Sequence, residues 1–301
     1  MGSPTTPTHG KYGALYVLRP NGFKGYGLND VTWGTGSTAA DLTYYEVVID
    51  SELGGTAGVD TFKWRVNGGA WTEDVDITGA AQTLADGQKI TFAATTGHTL
   101  GDQWVIGNLK DEPTTESTVY AQITDAAARL LNPNTPPTFT DDGGAYVLSI
   151  NYTNGRATFS AAVGNVTVTG NNGYIPASAL QKVGYLIDWN LSLSLDMADT
   201  TYMGQQWKTA LPGAASGSGS ANAYFIADET LLNCLQEAIA NGDKYFLLEL
   251  FNYDPDQDQT GDHIIAWVSF TSFNLGAGIG EVVKEQVNFQ TYGEISFVAN
   301  A

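Results

Sequence analysis

From Tyr185 to Leu195 the chain alternates strictly: Tyr185, Ile187, Trp189, Leu191, Leu193 and Leu195 fall on one side, Asp188, Asn190, Ser192 and Ser194 on the other. A period of two places successive side chains on opposite faces of an extended strand. At ~3.3 Å per residue such a strand is about 35 Å long, beyond the usual length of about five or six residues. Only a large sheet can use it. Elsewhere Tyr146, Leu148, Ile150 and Tyr152 alternate against Ser149 and Asn151. Residues 244–251 and 263–273 are nearly continuous apolar runs, the pattern of central strands covered on both faces. In the last strand, 282–296, Val283, Val287 and Phe289 take one side. Lys284, Gln286, Asn288 and Gln290 take the other, an extended uncharged-to-basic face.

One helix interrupts this pattern. Asp228 suits an N-cap, Leu231, Leu232, Leu235 and Ile239 recur at helical spacing, and Asn241-Gly242 supplies the stop. Cys234 lies within it and reads as a small buried thiol. As the sole cysteine of 301 residues, it leaves no intrachain disulfide and no cysteine-based zinc site. A weaker helical candidate runs from Thr124 to Leu131 and closes at Asn132-Pro133. Residues 43–108 have a different texture of short strands and tight turns, including Asn67-Gly68-Gly69. They read as a self-contained all-β module with Phe62, Trp64, Trp71, Phe92 and Trp104 as its core. The polar stretch 109–118 reads as its exit linker, and 211–222, with Gly-Ser-Gly-Ser, as a flexible loop.

Charge narrows the function. Lys and Arg number 13 against 32 Asp and Glu, a net −19, which opposes wrapping DNA or binding an anionic membrane. No apolar run is long enough to cross a membrane. The opening residues carry no secretory leader pattern; Met1-Gly2 through Thr6 fit the loose myristoylation pattern without a basic second signal. Of the sequons at Asn151, Asn165 and Asn190, the last sits inside the long strand, where chance suits it better than a glycan.

Catalytic signatures are absent: no G-x-S-x-G, no GxGxxG, no P-loop and no H-E-x-x-H. His9, His98 and His263 stand far apart and read as solvated or structural, and nothing selects a carboxylate pair for glycoside hydrolysis. Asp254, Asp256, Asp258 and Asp262 form the one calcium candidate. It lacks the EF-hand glycine and glutamate, having Gln259 and Ile265 there, and reads better as an acidic hairpin tip. Residues 276–280 read as a glycine-rich bend, because a strand pattern rather than a helix follows them. The expectation is a protein that is not an enzyme and needs no cofactor.

What remains points to assembly. Seven Trp and fifteen Tyr supply interface anchors, and the N-terminal arm, 1–12, suits ordering against a neighbour. The order of elements from Val119 to Phe297 resembles the major tail tube proteins of long-tailed, siphovirus-like bacteriophages. The resemblance rests on Gly170-Asn171-Asn172-Gly173-Tyr174-Ile175, the long strand, the lone helix, and Gly242-Asp243-Lys244-Tyr245-Phe246-Leu247-Leu248-Glu249-Leu250. The acidic hairpin and the closing Tyr292-Gly293-Glu294-Ile295-Ser296-Phe297 complete it.

The resemblance implies a mainly β chain: a tail-tube-type β-sandwich or barrel-forming domain with one flanking α-helix, plus a small inserted all-β domain. Residues 13–42 and 119–301 would form the tube domain, and 43–108 the surface-facing insertion. It further implies hexameric rings stacked into a tube in the virion, assembled in host cytoplasm, through which DNA passes without sequence-specific binding. The implied partners are the chain itself, a tape measure protein and tail terminator or baseplate proteins. Tyr12, Tyr16, Tyr185, Trp189, Val283, Val287 and Phe289 are the inter-subunit candidates, and Lys284, Gln286, Asn288 and Gln290 the lumen-face candidates. The competing expectation is an acidic multi-domain β surface protein that binds glycan, with calcium at Asp254–Asp262.

Overall fold

A computed structural model describes residues 13–34, 37–38, 42–199, 210–224, 245–251, 262–276 and 284–298. They are mainly β and divide into two compact units: residues 16–182, and a barrel built from the chain on either side. Strand β1 (Gly13–Val17) belongs to the barrel. There follow β2 (Phe23–Lys24), β3 (Val31–Trp33), β4 (Thr43–Ser51), β5 (Thr61–Val66), β6 (Thr72–Asp76), β7 (Gln82–Thr83), β8 (Lys89–Phe92) and β9 (Gln103–Ser117). Next come β10 (Tyr120–Ile123), β11 (Thr138–Asp141), β12 (Val147–Asn151), β13 (Arg156–Phe159) and β14 (Val166–Tyr174). The barrel resumes with β15 (Gln181–Asp199), β16 (Ala210–Tyr224), β17 (Phe246–Phe251), β18 (His263–Gly276) and β19 (Lys284–Val298).

In the unit 16–182, one sheet runs β12-β13-β10-β9-β4-β5-β6, with β14 also on β9 and β11 on β14. Strand β9 is its spine. Its first half pairs with β4 and contributes Trp104 and Ile106 to a core with Phe23, Tyr45, Phe62, Ile90 and Phe92. Its second half pairs with β14 and β10 and puts Leu109 into another core, with Ile123, Leu131, Phe139, Phe159 and Val168. The expected linker at 109–118 is therefore strand up to Ser117, and the unit extends from the expected module through residue 182. The polar side chains that suggested a linker hold the strand in place. Thr114 Oγ1 donates to the Val166 carbonyl at 2.7 Å, and Glu116 Oε1 accepts from Val166 N at 3.1 Å.

Three further expectations change for local reasons. The helix at 124–131 reduces to one 3-10 turn, Ala126–Ala128, capped by Asp125. Tertiary partners claim its backbone instead: Leu131 N donates to the Tyr152 carbonyl and Ile175 N to the Leu130 carbonyl, both at 2.8 Å. Trp71 leaves the core, with the Arg65 guanidinium 4.3 Å and the Lys63 ammonium 5.1 Å from its ring centre. Tyr146 and Leu148 point outward because the β12–β13 register shifts between Val147 and Ser149.

The barrel closes in the order β1-β15-β16-β19-β18-β17. Its core-facing side holds Val287, Phe289, Ala221, Leu248 and Leu250, all buried, with Phe246 stacked on Phe270 at 4.9 Å. The loop expected at 211–222 is the paired strand β16. Its Gly, Ser and Ala residues hide a period of two that hydropathy does not register. Gly219 and Gly217 face inward, where an added Cβ on Gly219 would come within 2.6 Å of the Phe289 ring and one on Gly217 within 2.7 Å of Thr291 Oγ1. The residues between them point the other way. The expected helix at 228–241 with Cys234, His9, most of the acidic tip and 277–280 of the glycine-rich bend lie outside the described residues.

Candidate assembly surface

Antiparallel pairing aligns the polar positions of four consecutive barrel strands into rows. Asp188, Asn222, Gln286 and Asn274 make one row across β15, β16, β19 and β18. Asn190, Ser220, Asn288 and Ser272 make the next, and Ser192, Ser218, Gln290 and Ser269 the third. Hydrogen bonds run along the rows from strand to strand. Asn190 Nδ2 donates to Ser220 Oγ at 2.9 Å while Ser220 N donates to Asn190 Oδ1 at 3.1 Å. Asn288 Nδ2 reaches Ser272 Oγ at 2.7 Å, and Asn222 Nδ2 reaches Asp188 Oδ1 at 2.5 Å. In these rows Asp188 is the single ionisable group. The rows are hydroxyl- and amide-rich and nearly neutral.

Three of the four lumen-face candidates, Gln286, Asn288 and Gln290, lie in these rows; Lys284 continues the same strand opposite Tyr224 and Gly276. The inter-subunit candidates fare differently. Val287 and Phe289 are each 2% exposed, packed inside their own barrel. Trp189 is half-buried, and its indole Nε1 donates to the Phe251 carbonyl at 3.1 Å, so it too serves its own chain. Tyr16 and Tyr185 lie in the neighbouring strands β1 and β15; Tyr12 and Val283 lie outside the described residues.

The exposed apolar residues are others. Pairing of β15 with β16 runs from Leu186–Ala223 to Asp199–Ala210, whereas β16 pairs with β19 only over Ser218–Tyr224. Among the described residues, the stretch from Ala210 to Gly217 has β15 as its only strand partner. The two strands therefore continue as a ribbon past their contact with β19. On it Leu193 is 57% and Leu195 50% exposed, although both continue the phase that half-buries Trp189 and Leu191. A strand edge left without a partner, as β16 has over Ala210–Gly217 among the described residues, is suited to pairing with another chain. The alternation of Gly217, Ser218, Gly219 and Ser220 is the signal that reveals β16 as a strand rather than a linker.

The titratable groups play structural parts. His98 is buried, with Nδ1 2.9 Å from Asp60 Oδ2 and Nε2 3.1 Å from Asp30 Oδ1. Burial alone would lower its pKa, but hydrogen bonds to the two carboxylates outweigh burial and raise it. For Asp30 and Asp60, bonds to His98 and to backbone amides outweigh burial, and both are lowered. In the barrel, Glu249 on β17 is pushed up to about 7 by burial. Of the calcium candidates only Asp262 is described, exposed before β18, and no cluster of three or more possible ligands occurs among the described residues. No described helix is long and apolar enough to cross a membrane.

No protein-family model and no curated protein matches the chain. Solved structures match part of it. A chain from the tail of an empty gene transfer agent particle, solved with C6 symmetry, is 18% identical over 41% of this chain and 89% of its own, with a TM-score of 0.32. One from the baseplate of the anti-feeding prophage is 10% identical, covers 42% and 86%, and scores 0.35. The SPP1 tail tube is 14% identical, covers 37% and 64%, and scores 0.28.

Proposed function

We propose that this chain is a structural, non-enzymatic protein whose barrels join into hexameric rings, the rings stacking into a phage tail tube that conducts DNA during ejection. The observation that carries the reading is the neutral polar face on strands that outrun their own barrel. Rows of hydroxyls and amides with no cation among them give phosphate little to grip, and an acidic chain repels it, so DNA slides instead of binding. The β15–β16 ribbon supplies the contact between copies: a neighbouring barrel covers Leu193 and Leu195 and pairs the free edge of β16. The sequence resemblance points the same way. On this reading a tape measure protein occupies the lumen during assembly, and terminator or baseplate proteins close the ends.

The purified full chain, concentrated at several salt concentrations, is expected to give hollow rings or tubes in negative stain and a hexamer in sedimentation. A net charge of −19 on every copy makes assembly stronger at higher salt. Monomer at every concentration and salt overturns the proposal.

A further inference from the structure

One surface of the unit 16–182 takes no part in either of its cores. Strands β10, β13 and β12 form one end of the long sheet, and β12 is its edge. Tyr120 pairs with Thr158, which places both on the outward face. Ser160 N donates to the Tyr146 carbonyl at 3.0 Å, bringing Tyr146 to the same end of β13. The bulge in β12 turns Leu148 outward as well. Tyr146 is 68%, Leu148 60% and Tyr120 42% exposed. The Arg156 guanidinium lies 5.1 Å from the centre of the Tyr120 ring and steadies it. Residues 120–123, 146–151 and 156–160 contain no Asp or Glu, in a chain whose net charge is −19.

Size and composition together select the occupant. Two partly exposed tyrosines and a leucine present on the order of 300 Å² of apolar surface, the size of a functional patch on an ordinary monomer. A stable protein interface needs about 800 Å² per partner, so a second copy is poorly matched. A polyanion meets one arginine and the repulsion of the whole chain. A neutral pyranose polymer meets what it needs: flat rings for the C–H faces of its sugars, and the hydroxyls of Thr158 and Ser160 for their rims. Two strand spacings across the sheet and two residues along it separate the two tyrosines by roughly 12 Å. That is about the span of a disaccharide. We propose that the outward face of β10, β13 and β12, with Tyr120 and Tyr146 as stacking platforms, binds a neutral polysaccharide.

The test is affinity electrophoresis of the full chain in gels containing dextran, laminarin or glucomannan, with alginate as the polyanionic arm. Retardation is expected in at least one neutral gel. It should fall at least twofold in Tyr146→Ala and vanish in Tyr120→Ala/Tyr146→Ala, with the melting temperature unchanged. Ser160→Arg, which crowds the face without removing a ring, should also abolish it. No retardation in any neutral gel, retardation only in alginate, or retardation that survives the double substitution overturns the proposal. Self-association that the double variant abolishes, without retardation, assigns the face to a second copy and overturns it too. Glycan binding at this face does not depend on tube formation: ring assembly, followed on the same variants, should be unchanged.

Discussion

Two strands of this molecule outrun any single core, and they end differently. Strand β9 has fifteen residues and β15 has nineteen. The first half of β9 packs Trp104 and Ile106 into one core, and its second half packs Leu109 into another. Strand β15 follows the core side at Trp189 and Leu191 and then carries Leu193 and Leu195 into solvent. A long strand thus joins two cores within a chain in one case and reaches beyond its own core in the other. A long amphipathic strand shows that a second apolar partner exists; it does not show whether that partner belongs to the same molecule.

Substitutions separate the two outcomes. Trp104 is fully buried, with its Nε1 3.0 Å from Asn29 Oδ1 and its ring edge-on to Phe92 at 5.5 Å. Trp104→Ala is expected to cost about 3–5 kcal/mol in urea unfolding. A loss below about 1 kcal/mol, far short of a core truncation, would show that β9 is not anchored in that core.

His98→Ala strands the buried Asp60 and the partly buried Asp30 and is expected to cost about 3 kcal/mol. The pH dependence follows from the directions of the shifts. The raised His98 contributes fully below its ordinary value of 6.5, and that contribution is lost as pH rises through its higher folded value. The lowered Asp30 and Asp60 contribute above their ordinary 3.8 and lose that contribution as pH falls through their folded values. The variant should lose the decline on the alkaline side; an unchanged stability–pH curve would contradict the pairing.

Glu249 has the opposite sign to Asp30 and Asp60. A carboxyl raised from its ordinary 4.5 to about 7 binds a proton in the folded state that it releases when unfolded, so barrel stability falls as pH rises across that interval. The fall is at most about 3 kcal/mol. Glu249→Gln should remove the slope and stabilise the barrel above about pH 7. A variant no more stable there would mean the carboxyl is solvated.

The smallest effect on folding falls on the ribbon. Leu193→Asn and Leu195→Asn should each change stability by less than about 0.5 kcal/mol, because both side chains are already half in water. Together they should abolish higher oligomers in sedimentation, whereas Trp104→Ala, at temperatures where it stays folded, should leave assembly intact. Assembly that persists in the double variant removes the ribbon from the contact.

Much of the fold is legible in the sequence. The alternation at 185–195 and 284–290, the apolar runs of β17 and β18, and most of the core of β4–β9 all follow from local periodicity. Period two alone puts Gln286, Asn288 and Gln290 on one face, and strand pairing keeps them there. Strand β16 escapes a hydropathy reading because glycine and serine carry little signal. Its period of two becomes visible only where Phe289 lies against Gly219 and Asn190 against Ser220. The stretch 109–117 reads as a linker because its polar side chains bond to β14, a partner fifty or more residues away.

By itself the sequence determined the mainly β class, the strand faces and the charge that opposes gripping DNA. Period two and composition are local properties, and they survive whatever the strands pair with. Only the tertiary structure decided which apolar residues were already covered. Val287 and Phe289 went inside, Leu193, Leu195, Tyr146 and Leu148 stayed out, and His98 came to rest between two aspartates. Burial is a property of neighbours distant in the chain, and bulges such as the one beside Leu148 reverse a face at no visible change in pattern.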